Sequence, residues 1–293
     1  MQRRSVPVRA GSRLAHYAEQ FAKNAYAATT AHDRERVLEQ LLAQRDVEEI
    51  SKALEMFPDA GPSVLAPLAD DAIVPRMDRS TPGRDLQAEL FFASTCKHGK
   101  MAVELGKEPD LWCQAGGAWL GLAVKRLRSA EKFSDRVEDA AKQVQKHAPW
   151  AGLVCVDVSL GWNPEMRAIV TPRDPVAVAF DNRERLSRLL DEHNTFLHKM
   201  WRRYPKCLAL LCIDQVAVFE LGASWVTYQY SLFHRSAHNT VQRVRLLQAF
   251  QAGWQRGSEN CFGFDHVPRT GEFSGPPTDQ VMALRSARQG LSK

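Results

Sequence analysis

The sequence contains no apolar run long enough to cross a bilayer, so no membrane-spanning helix is expected. Its six cysteines (Cys96, Cys113, Cys155, Cys207, Cys212, Cys261) form no C-x-x-C pair, and most lie within apolar runs. That pattern points to buried free thiols and away from a zinc site or a disulfide framework. No G-x-x-x-x-G-K-[ST] loop, G-x-G-x-x-G turn or G-x-S-x-G elbow is present. Their absence removes the usual signatures of P-loop nucleotide hydrolysis, dinucleotide binding and α/β-hydrolase chemistry. No internal repeat is found. The opening MQRRSVPVRAGSR is basic but has no apolar segment behind it, so it does not read as a secretory signal. A cytoplasmic protein with no membrane partner is expected.

What is present suits a soluble globular protein of one large or two small domains: 293 residues, 44% hydrophobic and 25% charged. The net charge of +5 is unevenly placed. Residues 1–83 carry 11 Lys and Arg against 12 Asp and Glu, and the rest carry 28 against 22. A basic excess of this size permits a polyanionic partner. Residues 12–56 follow helical spacing (Leu14, Tyr17, Ala18, Phe21; then Val37, Leu38, Leu41, Leu42), which predicts a small helical region able to dock a protein partner. Pro58, Pro62, Pro67, Pro75 and Pro82 mark a connector with a short helix near 63–70. The expected organisation is a helical region and connector over 1–80, an α/β domain over 81–256 and an irregular tail over 257–293.

The stretch from Arg84 to Ser159 carries the chemistry. Leu86, Glu89, Leu90 and Ala93 share one face of a predicted helix, so Glu89 lies within an apolar stripe, where a carboxylate needs a partner or a cation. Short strands follow at Met101–Leu105 and Leu111–Gln114, the second introduced by Pro109-Asp110; Gly116-Gly117 then turns the chain into Trp119–Val124. Strand alternation puts Ala123 and Lys125 on one side and Leu122 and Val124 on the other. An amphipathic helix over 131–147 and the apolar run Gly152–Val158 complete a crossover. Beyond it, Arg183–Tyr204 reads as one long helix. Its basic residues are interleaved with Glu184, Asp191 and Glu192, as on a solvated face, and His193 sits on its apolar side. Three strands (Cys207–Ile213, Val216–Leu221, Ser224–Phe233) and a helix from Asn239 to Trp254 follow. His234 and His238 stand four apart without the Glu of an H-E-x-x-H motif.

The order helix with Glu, strand, Pro-Asp, hairpin, Val-Lys-Arg, helix, strand resembles the PD-(D/E)XK, or restriction-endonuclease-like, nuclease superfamily. The resemblance covers about a quarter of the chain. It implies an α/β fold with a central mixed sheet and an αβββαβ core, and an Mg²⁺-dependent (or Mn²⁺-dependent) endo- or exonuclease acting on DNA or RNA. Asp110 matches the family's PD aspartate, Lys125 its lysine and Glu89 the carboxylate of its first helix. Gln143 is similar to a glutamine of some exonuclease branches, with His147 standing where a tyrosine usually follows. The chain departs from the family at Ala123, where an Asp or Glu belongs; Glu138 or Asp139 on the next helix stand where some members relocate that acid. By this resemblance Asp110, Glu89 and the Val124 carbonyl would ligate the metal, and Lys125 would orient water or hold developing charge. The loss at Ala123 leaves a second reading open: a nuclease fold without chemistry that binds nucleic acid or a protein.

Overall fold

The computed structural model describes residues 51–69, 82–106, 108–163, 169–171, 175–220, 225–236, 240–261 and 266–271, with isolated positions between 12 and 50. Most of the expected helices over 12–45, and the proline-rich stretch 70–81, lie outside the described residues. Residues 49–56 are helical.

Thereafter the order is α1 (Pro62–Ala69), α2 (Pro82–His98), β1 (Val103–Leu105), β2 (Leu111–Ala115), β3 (Ala118–Arg126), α3 (Phe133–His147) and β4 (Gly152–Asp157). It continues with the short α4 (Ser159–Trp162), β5 (Ile169–Thr171), α5 (Pro175–Glu192), α6 (Asn194–Arg203), β6 (Cys207–Glu220), β7 (Trp225–Arg235), α7 (Val241–Cys261) and β8 (His266–Gly271). The strands form one eight-stranded mixed sheet in the order β1-β2-β3-β4-β6-β7-β8, with β5 alongside β6. β1, β2 and β3 are antiparallel neighbours, while β3, β4 and β6 run parallel. The chain is thus an α/β protein built on a mixed sheet. Among the described residues no helix is long and apolar enough to cross a membrane.

The β2–β3 hairpin turns on Gly116 and Gly117, both at positive φ (57° and 81°), as a tight two-residue hairpin requires. Parallel β3 and β4 need a crossover, and α3 supplies it. Its apolar positions Phe133, Val137, Ala140, Ala141 and Val144 recur at helical spacing and are all buried. Side chains then alternate across the sheet. Leu120, Leu122 and Val124 enter a core shared with α1, α2 and α7, whereas Ala123 enters a core shared with α3, α5 and α6. Ile50, Ala53, Phe57, Leu65 and Leu68 belong to the first of these, so the described part of the N-terminal region shares the sheet's core.

α2 is covered on several sides, which is why most of its circumference is buried. Against α7 it packs through small residues. A Cβ on Gly257 would stand 1.8 Å from the Thr95 carbonyl oxygen, and one on Gly99 would stand 2.0 Å from that of Gly253. Only glycine allows the two backbones so close. Phe91, Phe92, Phe250 and Trp254 pack as a group beside this crossing, with Phe92 and Trp254 rings 5.2 Å apart. Burying each such side chain contributes on the order of 2 kcal/mol.

Three sequence expectations differ from the structure. The long helix over 183–204 is two helices, broken at His193, which caps α6 instead of continuing α5. The two strands expected over 207–221 are one strand, β6, whose first half pairs with β4 and whose second half pairs with β5. Where an irregular tail was expected after 256, α7 runs on to Cys261 and His266–Gly271 pairs in parallel with β7.

Candidate functional site

The residues singled out in the sequence meet where β2 begins. The Glu108–Pro109 peptide is cis, and Pro109 lies directly over β3: its Cγ is 2.7 Å from where a Cβ on Gly121 would be. A side chain at Gly121 would lift the Glu108-Pro109-Asp110 turn off the strand. The turn delivers the Asp110 carboxylate, 9% exposed, beside the end of β3. Its Oδ2 accepts the Val124 backbone N–H at 2.6 Å and the Lys125 ammonium at 3.2 Å. Its Oδ1 accepts the Gln143 amide N–H from α3 at 2.9 Å. Three donors from two elements fix both oxygens, as a buried carboxylate requires.

Glu89 approaches from α2. Its carboxyl is pushed up from 4.5 to about 8, first by burial and then by the negative charge of Asp110; Lys125 opposes the rise and Asp85 adds to it. Asp85, one turn earlier on α2, pairs with Arg126 at 3.7 Å, so consecutive turns of α2 face consecutive residues at the end of β3. Glu89, Asp110, Lys125 and Gln143 therefore share one electrostatic environment, drawn from α2, β2, β3 and α3.

His147, one turn beyond Gln143, pairs with Glu108 at 2.5 Å. α3 thus grips the Glu108-Pro109-Asp110 turn at both of its acidic residues.

Other expected residues lie elsewhere. Glu138 accepts the Tyr204 hydroxyl at 2.9 Å and the Arg203 guanidinium at 3.0 Å, at the seam between α3 and α6. Asp139 is exposed and pairs with Lys142 at 3.4 Å. Ala123 is fully buried against the α3 side of the sheet. Val124 contributes its amide N–H to Asp110; that bond does not involve the carbonyl expected to face a metal. His193 accepts or donates to the Leu189 carbonyl at 2.9 Å and packs edge-on against Phe133, as a core histidine does. His234 is engaged by Trp201 and Asn194, and His238 lies outside the described residues. Among the described residues no group of three or more His, Cys, Asp or Glu side chains is arranged to hold a metal ion.

A second acidic cluster escaped sequence reading. Asp157 ends β4 and accepts both the backbone N–H and the hydroxyl of Ser159, at 2.9 and 2.5 Å. Asp214, 1% exposed on β6, lies 3.7 Å from Arg185. Its carboxyl is pushed up from 3.8 to about 7 by burial, against the pull of Arg185 and helped by Asp157. Arg185 also stacks on the Trp162 ring at 4.2 Å. The sequence signal was an aspartate inside each of two otherwise apolar strands. Between the two clusters, a cleft lined by Arg84, Gln87, Arg126 and Asp157 has room for water.

No family model, no curated protein and no solved structure matches this chain.

Proposed function

We propose that residues 82–157 form a restriction-endonuclease-like αβββαβ core, and that the protein is an Mg²⁺-dependent phosphodiesterase cleaving DNA or RNA. The supporting observation is the Asp110 carboxylate, which takes Lys125 and Gln143 side chains from β3 and α3 beside the Glu89 carboxyl.

The donor set suits a hard divalent cation. Mg²⁺ is held by one or two carboxylates and keeps several waters, so Asp110 and Glu89 are enough ligands without a third acid at position 123. Two carboxyl groups near enough that burial and mutual repulsion hold a proton on one of them form a pair that a cation would relieve. When bound, the ion supplies Lewis acidity toward a phosphoryl oxygen and lowers the pKa of a coordinated water.

The chain's own residues perform the rest. Val124 and Gln143 hold the Asp110 carboxylate in one orientation, so no reorganisation is needed as substrate arrives. Lys125 places a positive charge beside that carboxylate, where negative charge develops on a phosphate under attack. Gln143 is positioned by α3 and acts through Asp110.

The test is cleavage of single- and double-stranded oligonucleotides with Mg²⁺ or Mn²⁺. Asp110→Asn and Lys125→Met are each expected to lower the rate at least a hundredfold, on the order of 3 kcal/mol. Residual cleavage equal in both variants and wild type would mean a contaminant and would end the proposal. Ala123 favours a second reading, a nuclease fold that binds nucleic acid without cutting it; its signature is salt-sensitive binding by wild-type protein with no turnover under any metal.

A further inference from the structure

The turn that carries Asp110 is held from two directions. Toward the sheet, the Pro109 ring rests over Gly121; the Ala148 and Trp112 side chains stand 3.3 and 3.5 Å from where a Cβ on that glycine would be. The Gly106 N–H donates to the Asp110 carbonyl at 3.0 Å. These contacts set the height of the turn above β3. The second hold comes from α3, where Gln143 donates to Asp110 Oδ1 at 2.9 Å and the His147 Nε2–H donates to Glu108 Oε2 at 2.5 Å.

Gln143 and His147 are four residues apart, so they share one face of α3, with Cβ atoms about 5 to 6 Å apart. Glu108 and Asp110 are two residues apart on the turn. One bond between helix and turn would leave a pivot; two bonds a helical turn apart set the angle as well. The two bonds also differ in kind. The Gln143 bond lands on the carboxylate, whose oxygens a cation would share. The His147 bond lands outside the carboxylate and keeps its hold whatever Asp110 binds. Among the described residues, His147 and Glu108 are each other's only polar partner. With the His147 side chain 24% and the Glu108 side chain 54% exposed, the pair adds little to stability. Its contribution is the direction it gives the turn.

We infer that His147 is a positioning residue for Asp110: it acts through Glu108 to hold the angle at which the turn presents the carboxylate beside Lys125, and it touches neither ion nor substrate. Groups that orient a metal ligand without touching the metal are typically worth about ten- to a hundredfold in affinity or activity. The inference rests on the phosphodiesterase reading for the purpose of the turn, but on no step of the cleavage.

The test is calorimetric titration of the full-length protein with Mn²⁺, without nucleic acid, beside steady-state cleavage of an oligonucleotide at saturating Mn²⁺ and thermal melts. His147→Ala is expected to weaken Mn²⁺ binding and to lower kcat, each about tenfold, with KM changed less than about twofold and the melt little changed. His147→Gln keeps an N–H donor at similar reach and should bring both back to within about threefold of wild type. Glu108→Ala should match His147→Ala, and the double variant should be no worse than either single one, because each removes the same link. Losses that multiply in the double variant would mean that His147 acts on its own and would overturn the inference. A His147→Ala protein equal to wild type in Mn²⁺ affinity and kcat would overturn it too, as would a His147→Gln protein no better than His147→Ala. A wild type that binds Mn²⁺ but cuts nothing, with affinity lost in His147→Ala and regained in His147→Gln, would leave the clamp standing and end the phosphodiesterase proposal. A wild type that binds no Mn²⁺ would end both.

Discussion

Asp110 and Asp214 are both buried aspartates on the same sheet, and they are held in opposite ways. Asp110 has three hydrogen-bond donors within 3.2 Å, from a backbone amide, an ammonium and a side-chain amide. Asp214 is almost fully enclosed, its cation stands 3.7 Å away and its Oδ2 receives no hydrogen bond, while the Ser159 hydroxyl and Arg185 pull its carboxyl back only in part. Burial pushes the Asp214 carboxyl up to about 7. Enclosure raises the cost of a charge and close donors offset it, so the two sites show the same residue type held by different means.

The largest way to test this contrast is pH. The folded protein holds a proton on Asp214 more tightly than the unfolded chain does, so this group's contribution to stability is complete below pH 4 and is lost as pH rises through about 7. A rise from 3.8 to about 7 corresponds to roughly 4 kcal/mol. Asp214→Asn should remove that dependence, so the stability gap between variant and wild type in urea unfolding should change by an amount of this order between pH 4 and pH 8. A gap that stays constant over that range would refute the contrast.

A smaller effect is expected from Asp110→Ala. It strands the Val124 N–H and the Gln143 amide, and it removes the ammonium's partner at a site open enough to water to soften the loss. A cost of about 2 kcal/mol in denaturant unfolding is expected. Gln143→Leu should cost about 1 kcal/mol by the same measurement and should slow cleavage with little change in KM, because Gln143 acts by orienting Asp110. Smallest is Glu138→Ala. Its partner Arg203 is 69% exposed, so screening should hold the loss to about 0.5 kcal/mol. Cleavage should be unchanged, since Glu138 is turned toward α6; a large loss of rate would instead give it the place of the acid missing at position 123.

The β2–β3 hairpin, the α3 crossover and the β4 strand were legible because each is written locally. A Gly-Gly turn, a helical stripe and an apolar run are signals that tertiary packing has no reason to override. Asp110, Lys125 and Gln143 were singled out together only through the family resemblance, since each residue alone has a commonplace explanation; the structure brings the three side chains into contact. The break at His193 was hidden because the apolar stripe of α5 continues through Leu186, Leu189 and Leu190 into Leu197 and Met200 of α6 without a proline or glycine to mark it. The union of two expected strands into β6 was hidden because Asp214 and Gln215 read as a turn. They are accommodated because Asp214 meets Arg185 and the Gln215 N–H donates to Ser159 at 2.8 Å. The pairing of residues 266–271 with β7 depends on partners far along the chain, which local patterns do not encode.

The glycine crossing of α2 and α7 sets an order of events. Glu89 rides on a helix whose backing, Gly253 and Gly257, is more than 150 residues downstream. During synthesis the aspartate, the lysine and the glutamine all emerge well before that support exists. A nascent polypeptide halted before Val241 would carry all four residues, but its α2 would lack the backing of Gly253 and Gly257.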